Sequence, residues 1–247
     1  MPGDCWLILG ASSSIARAFA RAVAERGDRV LLAGRDQDDL ARTAADLGIR
    51  YGVECEILEF DALAFDRHAD FAALVEARAF GSLNVFLAFG TMVDQSQIDR
   101  SPSLARLVLD TNLGGAISIL SHLAPVMEAQ GKGRIVVIGS VAGDRGRRGN
   151  HVYGAAKAGL HAYCQGLRAR LFRSDVTLTT IKPGFVDTSM TWGLPGLFLV
   201  ASPAACARAC LRHADRGAGV RYVPAFWWGI MTTIRLIPEP LFKRLSI

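Results

Sequence analysis

The chain has 247 residues, enough for one large α/β domain with a core of its own. Hydrophobic residues make up 51% of it, which excludes a disordered chain, and the formal net charge of +5 is spread along the sequence, which argues against a nucleic-acid footprint. Cys5, Cys55, Cys164, Cys206 and Cys210 show no paired CxxC spacing and no histidine cluster. They are expected to be reduced thiols in a reducing compartment, with no metal site.

The N-terminal stretch MPGDCWLILGA enters a strand at once and has no basic segment before it, which argues against a secretory signal. No apolar stretch of spanning length lacks charge, so no membrane-spanning helix is expected. The first strand, 6–9, runs into Gly10, Ala11, Ser12, Ser13, Ser14 and Ile15. A helix follows with Ile15, Phe19 and Val23 on one face. Free N–H groups and the helix dipole at such a turn favour a pyrophosphate.

A second strand, 29–34, ends at Arg35. In a doubly wound sheet this strand end faces the adenosine ribose, where an arginine suits a 2′-phosphate, so NADP(H) is favoured over NAD(H). Asp36 is placed to cap the next helix. The third strand, 55–60, ends at Asp61, an acceptor for an adenine amino group, with Ala62 beside it. The fourth, 83–89, ends at Gly90, with Ala88 near its end. Strand and helix alternate throughout, which implies a parallel sheet covered on both faces, with ligands at the strand C-termini.

A fifth apolar run, 135–138, is short, β-branched and bounded by glycines, and Ser140 follows it. Tyr153 and Lys157 are four residues apart at the start of a helical pattern, so both side chains lie on one helix face. A free phenol has a pKa of about 10, and a cation one turn away is expected to lower it. Ser140 would hold a substrate oxygen while Tyr153 moves the proton.

These motifs, in this order, resemble the short-chain dehydrogenase/reductases over essentially the whole chain. The matching elements are the turn from Gly10 to Ala16, Asp61, the run Ala88-Phe89-Gly90, Asn112 in LDTNLGGA, Ser140, the pair Tyr153 and Lys157, and Pro183, Gly184 and Thr188 of KPGFVDTSM. The resemblance implies a single-domain doubly wound α/β (Rossmann) fold over 1–247, an NADP-dependent oxidoreductase acting on CH-OH groups, and a homodimer or homotetramer. It implies Tyr153 as acid/base, Lys157 as the group that lowers its pKa and holds the nicotinamide ribose, Ser140 on the carbonyl and Asn112 beneath a relay water. Thr188 and the backbone near Gly184 and Val186 would touch the nicotinamide end. Ser14 and Ala16 stand where this family usually has its second and third glycines, so Ser14 is expected to add bulk beside the pyrophosphate.

The stretches FDAL, AFG, AGDRGRRGNHVYGAAKAGL, KPGFVDTSM and IPEPLFKRLSI are similar to the decaprenylphosphoryl-2-keto-erythro-pentose reductases of cell-envelope arabinan synthesis. That resemblance implies a keto-sugar on a polyprenyl phosphate as substrate. Arg145, Arg147 and Arg148, between the serine and the tyrosine, would pair with its phosphate. The segment 188–203, uncharged from 191 onward, is expected to form an apolar substrate lid. Within 222–247, the uncharged run holding Trp227 and Trp228 precedes Arg235, Lys243 and Arg244, which suits either an interfacial segment on an anionic membrane or a buried oligomer contact. The expected location is cytoplasmic, with peripheral contact at the inner membrane face. The alternatives are a reductase of a soluble carbonyl, such as a 3-oxoacyl thioester, and an NADP-binding sensor without turnover.

Overall fold

A computed structural model describes residues 4–193 and 196–245. The expected single domain therefore extends at both ends beyond what is described. Leu194 and Pro195 of the expected lid, and Ser246 and Ile247 of the C-terminal segment, also lie outside it.

Among the described residues, seven strands form one parallel sheet. They are β1 (Cys5–Leu9), β2 (Arg29–Gly34), β3 (Cys55–Glu59), β4 (Leu83–Leu87), β5 (Gly133–Ile138), β6 (Val176–Pro183) and β7 (Val220–Val223), in the spatial order β3-β2-β1-β4-β5-β6-β7. The order reverses between β1 and β4, and that is where a doubly wound sheet opens a crevice at its strand C-termini.

The central strands β1, β2 and β4 are buried at nearly every position because both faces are covered. Along β1, Leu7 and Leu9 join one core while Trp6 and Ile8 join the other. The first face carries α3 (His68–Arg78), α6 (Gly115–Gln130) and α7 (His151–Leu171). The second carries α1 (Ser14–Ala24), α2 (Gln37–Tyr51) and α8 (Pro203–Asp215). Phe19 of α1 stacks on Phe86 of β4 with ring centroids 3.8 Å apart.

Helix starts follow capping chemistry. Ser13 Oγ accepts from Ala16 N at 3.2 Å, Asp36 Oδ1 from Asp39 N at 3.0 Å, and Ser202 Oγ from Ala205 N at 3.2 Å. Two short helices, α4 (Gln95–Ile98) and α5 (Pro102–Leu109), follow β4. A π turn, Asp110–Gly114, joins α5 to α6. The whole segment Pro102–Gln130 is long and apolar enough to cross a membrane by length and composition alone. Its apolar residues Ile119, Leu120, Leu123 and Met127 are instead buried in the first core. The chain ends with α9 (Trp227–Leu236) and α10 (Glu239–Phe242) beyond β7.

Candidate active site

The crevice between the ends of β1 and β4 is a cleft of about 870 Å³. Gly10 leaves β1 at φ +80°, and a Cβ there would lie 2.6 Å from Phe89 N, so only glycine lets the two strand ends approach. Ser12, Ser13, Ser14 and Ile15 then line the cleft at the start of α1. None of them has a positive φ, so serines replace glycines here without backbone strain. Arg35, at the end of β2, lines the same cleft, as do Asp61 and Ala62 after β3 and Ala88 and Gly90 after β4. Asp36 caps α2, as its position suggested.

At the other end of the cleft, Tyr153 and Lys157 enter from α7 and Ser140 from the end of β5. Tyr153 is 7% exposed and Lys157 3%. Lys157 Nζ donates to Ile138 O at 3.2 Å and sits 5.8 Å from the Tyr153 ring centroid. Burial pushes the Tyr153 phenol up to about 12, and a hydrogen bond with the Ser140 hydroxyl works against that rise. Burial also lowers Lys157 to about 8. This corrects the sequence expectation of a lowered phenol. Taking both groups out of water penalises both charged forms more than their separation allows them to repay.

Asn112 lies behind the cleft wall, in the π turn, where the helical ladder is interrupted. Its Nδ2 donates to Val108 O at 2.9 Å and Thr91 O at 2.7 Å, while Oδ1 accepts from Thr91 N at 3.3 Å. The side chain therefore ties the break between α5 and α6 to the loop after β4. Pro183, Gly184, Val186 and Thr188 line the cleft beyond β6. Thr191 Oγ1 accepts from Thr188 N at 3.1 Å and donates to Val186 O at 2.6 Å, and a bridge pairs Val186 with Ala201 at the neck of the following loop.

The three loop arginines separate. Arg147 lines the cleft; among the described residues it makes no ion pair, and its Nε is buried without a partner. Burial lowers its pKa. Arg145 turns away instead. Its Nη1 donates to Ile234 O (2.8 Å), Arg235 O (3.1 Å) and Ile237 O (2.6 Å), its Nη2 to Glu239 (2.9 Å), and its guanidinium stacks 3.8 Å from the Phe242 ring centroid. It closes the C-terminus of α9, where the only backbone donor to these carbonyls among the described residues is Ile237 N, 3.4 Å from Ile234 O. Arg148 is exposed and outside the cleft lining. The expectation that all three face the site is corrected: of the three, only Arg147 lines the cleft.

The expectation for paired tryptophans also changes. Trp228 is 63% exposed, but Trp227 is 3% exposed. Its indole lies flush on Gly184, leaving no room for a Cβ there, and packs with Phe185 and Phe198 at centroid distances of 5.4 Å. The sequence reading missed His161, Asp144, Lys182, Tyr222 and Asn150. The one available signal was the spacing of Gly139 and Gly143 around Ser140, since both glycines make room for the His161 ring.

The strand order and the cleft at its reversal define a doubly wound fold of the dinucleotide-binding type. The short chain dehydrogenase family model matches residues 4–195. An uncharacterized oxidoreductase of Mycobacterium tuberculosis is 34% identical over 239 residues, 97% of this chain and 96% of that protein. A solved short chain dehydrogenase/reductase family protein superposes with a TM-score of 0.79 at 29% identity, covering 90% of this chain and 97% of its own. An actinorhodin polyketide ketoreductase solved with NADPH shares the fold with a TM-score of 0.81 at 22% identity, covering 91% and 97%. The chain belongs to the short-chain dehydrogenase/reductase family of oxidoreductases.

Proposed function

We propose that the protein reduces a ketone to a secondary alcohol with NADP(H). The observation that carries this reading is the meeting of Ser140, Tyr153 and Lys157 at one end of the cleft that begins at Gly10. A dinucleotide fits the residues present. The cleft is of ligand size, the N-terminus of α1 opens into it, and Arg35 stands at the ribose end with no ion pair among the described residues. Gly10, Ser12, Ser13, Ser14 and Ile15 would hold the pyrophosphate, Asp61 and Ala62 the adenine, and Ala88, Gly90, Pro183, Gly184, Val186 and Thr188 the nicotinamide half.

When bound, the nucleotide supplies the hydride. Ser140 Oγ donates to the ketone oxygen and fixes it beside Tyr153. The Tyr153 hydroxyl, which as a phenol is protonated at neutral pH and is kept so by burial, gives its proton to that oxygen as negative charge develops there. Lys157 stabilises the phenolate left behind, and Asn112 holds the wall on which a relay water would rest.

For the substrate we favour a keto-sugar on a polyprenyl phosphate over a soluble carbonyl. The unpaired arginine of the cleft supports this choice. Arg147 lines the cleft beside Tyr153 and makes no ion pair among the described residues, so an anionic substrate would pair with its guanidinium. The exposed Trp192, Phe198, Leu199 and Trp228 suit a lid and tail that meet an apolar chain. We place the reaction in the cytoplasm, at the inner membrane face, in a homodimer or homotetramer.

NADPH consumption with a panel of phosphate-bearing and phosphate-free ketones tests the reading. Turnover is expected, fastest with the phosphate-bearing ketones. Tight NADPH binding with no ketone reduced would instead mark a sensor. Sedimentation with anionic vesicles at low salt, reversed by high salt with detergent, is expected for the membrane contact, and a protein left wholly in the supernatant contradicts it.

A further inference from the structure

We infer that His161 is a positioning residue for Ser140, held in a single neutral tautomer by a buried polar cluster built on Asp144. The inference rests on the reading of Ser140 as the group that holds the ketone oxygen. Ser140 lies past the end of β5, where its backbone N–H has no strand partner, and it donates to His161 Nε2 at 3.3 Å. The imidazole comes from α7, two turns beyond Tyr153 and one beyond Lys157. The helix that carries the phenol therefore also fixes the serine.

The fit around the ring is close. A Cβ on Gly143 would lie 2.7 Å from His161 Cε1, and a Cβ on Gly139 would overlap Nε2. Ser140 thus stands between two glycines that admit the imidazole to its backbone. The other ring nitrogen, Nδ1, faces Asp144 Oδ1 at 3.9 Å. Asp144 is held by the Lys182 ammonium and by the Tyr222 hydroxyl, which donates to Oδ2 at 2.7 Å. The His161 and Asp144 side chains are 6% and 2% exposed, and that of Lys182 is 11% exposed.

An amide N–H pointing at Nε2 requires that nitrogen to be unprotonated, which leaves the proton on Nδ1, toward Asp144. Burial first, and then the Lys182 and Lys157 ammoniums facing the ring, lower its pKa to about 3 against the opposing pull of the Asp144 carboxylate. Lys182 directly precedes Pro183 and Gly184, and Tyr222 lies on β7. One cluster therefore ties the serine loop, the tyrosine helix and the nucleotide-side loop together. Buried polar groups that satisfy one another in this way fix a unique local geometry.

Nitrogen NMR of the histidine-labelled full chain tests the tautomer without relying on turnover. His161 is expected to show a proton on Nδ1, a bare Nε2, and no titration between pH 5 and 8. A proton on Nε2, or a midpoint near 6.5, would overturn the inference. In turnover, His161→Leu is expected to lower kcat by about 10- to 100-fold, because an ångström-scale displacement of an orienting group has effects of that size. NADPH affinity should stay within about twofold, and His161→Gln, which keeps an acceptor, should recover most of the rate. An unchanged kcat in His161→Leu, or a glutamine variant as slow as the leucine variant, would contradict the positioning role. Ser140→Ala and Tyr153→Phe run in parallel separate the two failures. If both keep full activity, the reading of the site falls; if only the His161 variants do, the positioning inference alone falls.

Discussion

The Lys157 ammonium lies 5.8 Å from the centroid of the Tyr153 ring, one helical turn along α7, and both side chains are buried. In this pocket the phenol is pushed up to about 12 and the ammonium down to about 8, so at neutral pH the pair rests as a neutral phenol beside a cation. That is the protonation state from which a carbonyl is reduced.

A pH profile follows from the lysine. Its charged form is present below about 8 and is lost as pH rises through that value. The kcat/KM for NADPH, which reports the free enzyme, is therefore expected to decline above pH 8. A profile flat to pH 10 would show that the cation is not needed.

Arg35 is expected to set the choice of nucleotide. Its guanidinium ends β2 at the cleft with no carboxylate paired to it among the described residues. Arg35→Ala should weaken NADPH by about 10- to 100-fold, the range for one lost hydrogen-bonded charge, and leave NADH nearly unchanged. Titration of both nucleotides by fluorescence checks this, and equal losses would exclude a 2′-phosphate contact.

Arg145 and Arg147, two residues apart, should respond differently. Arg147→Ala is expected to raise KM for a phosphate-bearing ketone, sparing a phosphate-free one, with little change in Tm. Arg145→Ala removes the cap on α9 and the stack on Phe242, so it should lower stability by about 1–3 kcal/mol, roughly 2–10 °C in Tm for a chain of this length. The opposite assignment of effects would restore the sequence expectation that the whole loop faces substrate.

The fold was legible because each strand is a short apolar run closed by a turn residue, and alternation with helices leaves few topologies. The strand over 29–34 coincides with β2, and those over 6–9, 55–60, 83–89 and 135–138 differ from β1, β3, β4 and β5 only at their ends, while β6 and β7 were given no bounds. The cleft residues were legible because the strand C-termini converge at the reversal point, so residues far apart in sequence share a position in the fold. What the sequence hid depends on direction rather than spacing. Arg145 and Arg147 flank the same glycine, Gly146, yet one caps a helix about 90 residues later and the other faces the cleft. Trp227 and Trp228 are adjacent, yet only one meets Gly184. The cluster of Asp144, His161, Lys182 and Tyr222 spans four elements, and no local pattern announces such a set.

The reading depends most on the Tyr153 hydroxyl. Single-turnover transfer of hydride from bound NADPH to a ketone, compared between the natural chain and Tyr153→Phe, tests it directly. Loss of one acid/base group is expected to slow transfer by at least about 100-fold while NADPH affinity is kept. An undiminished rate in the phenylalanine variant would contradict the account.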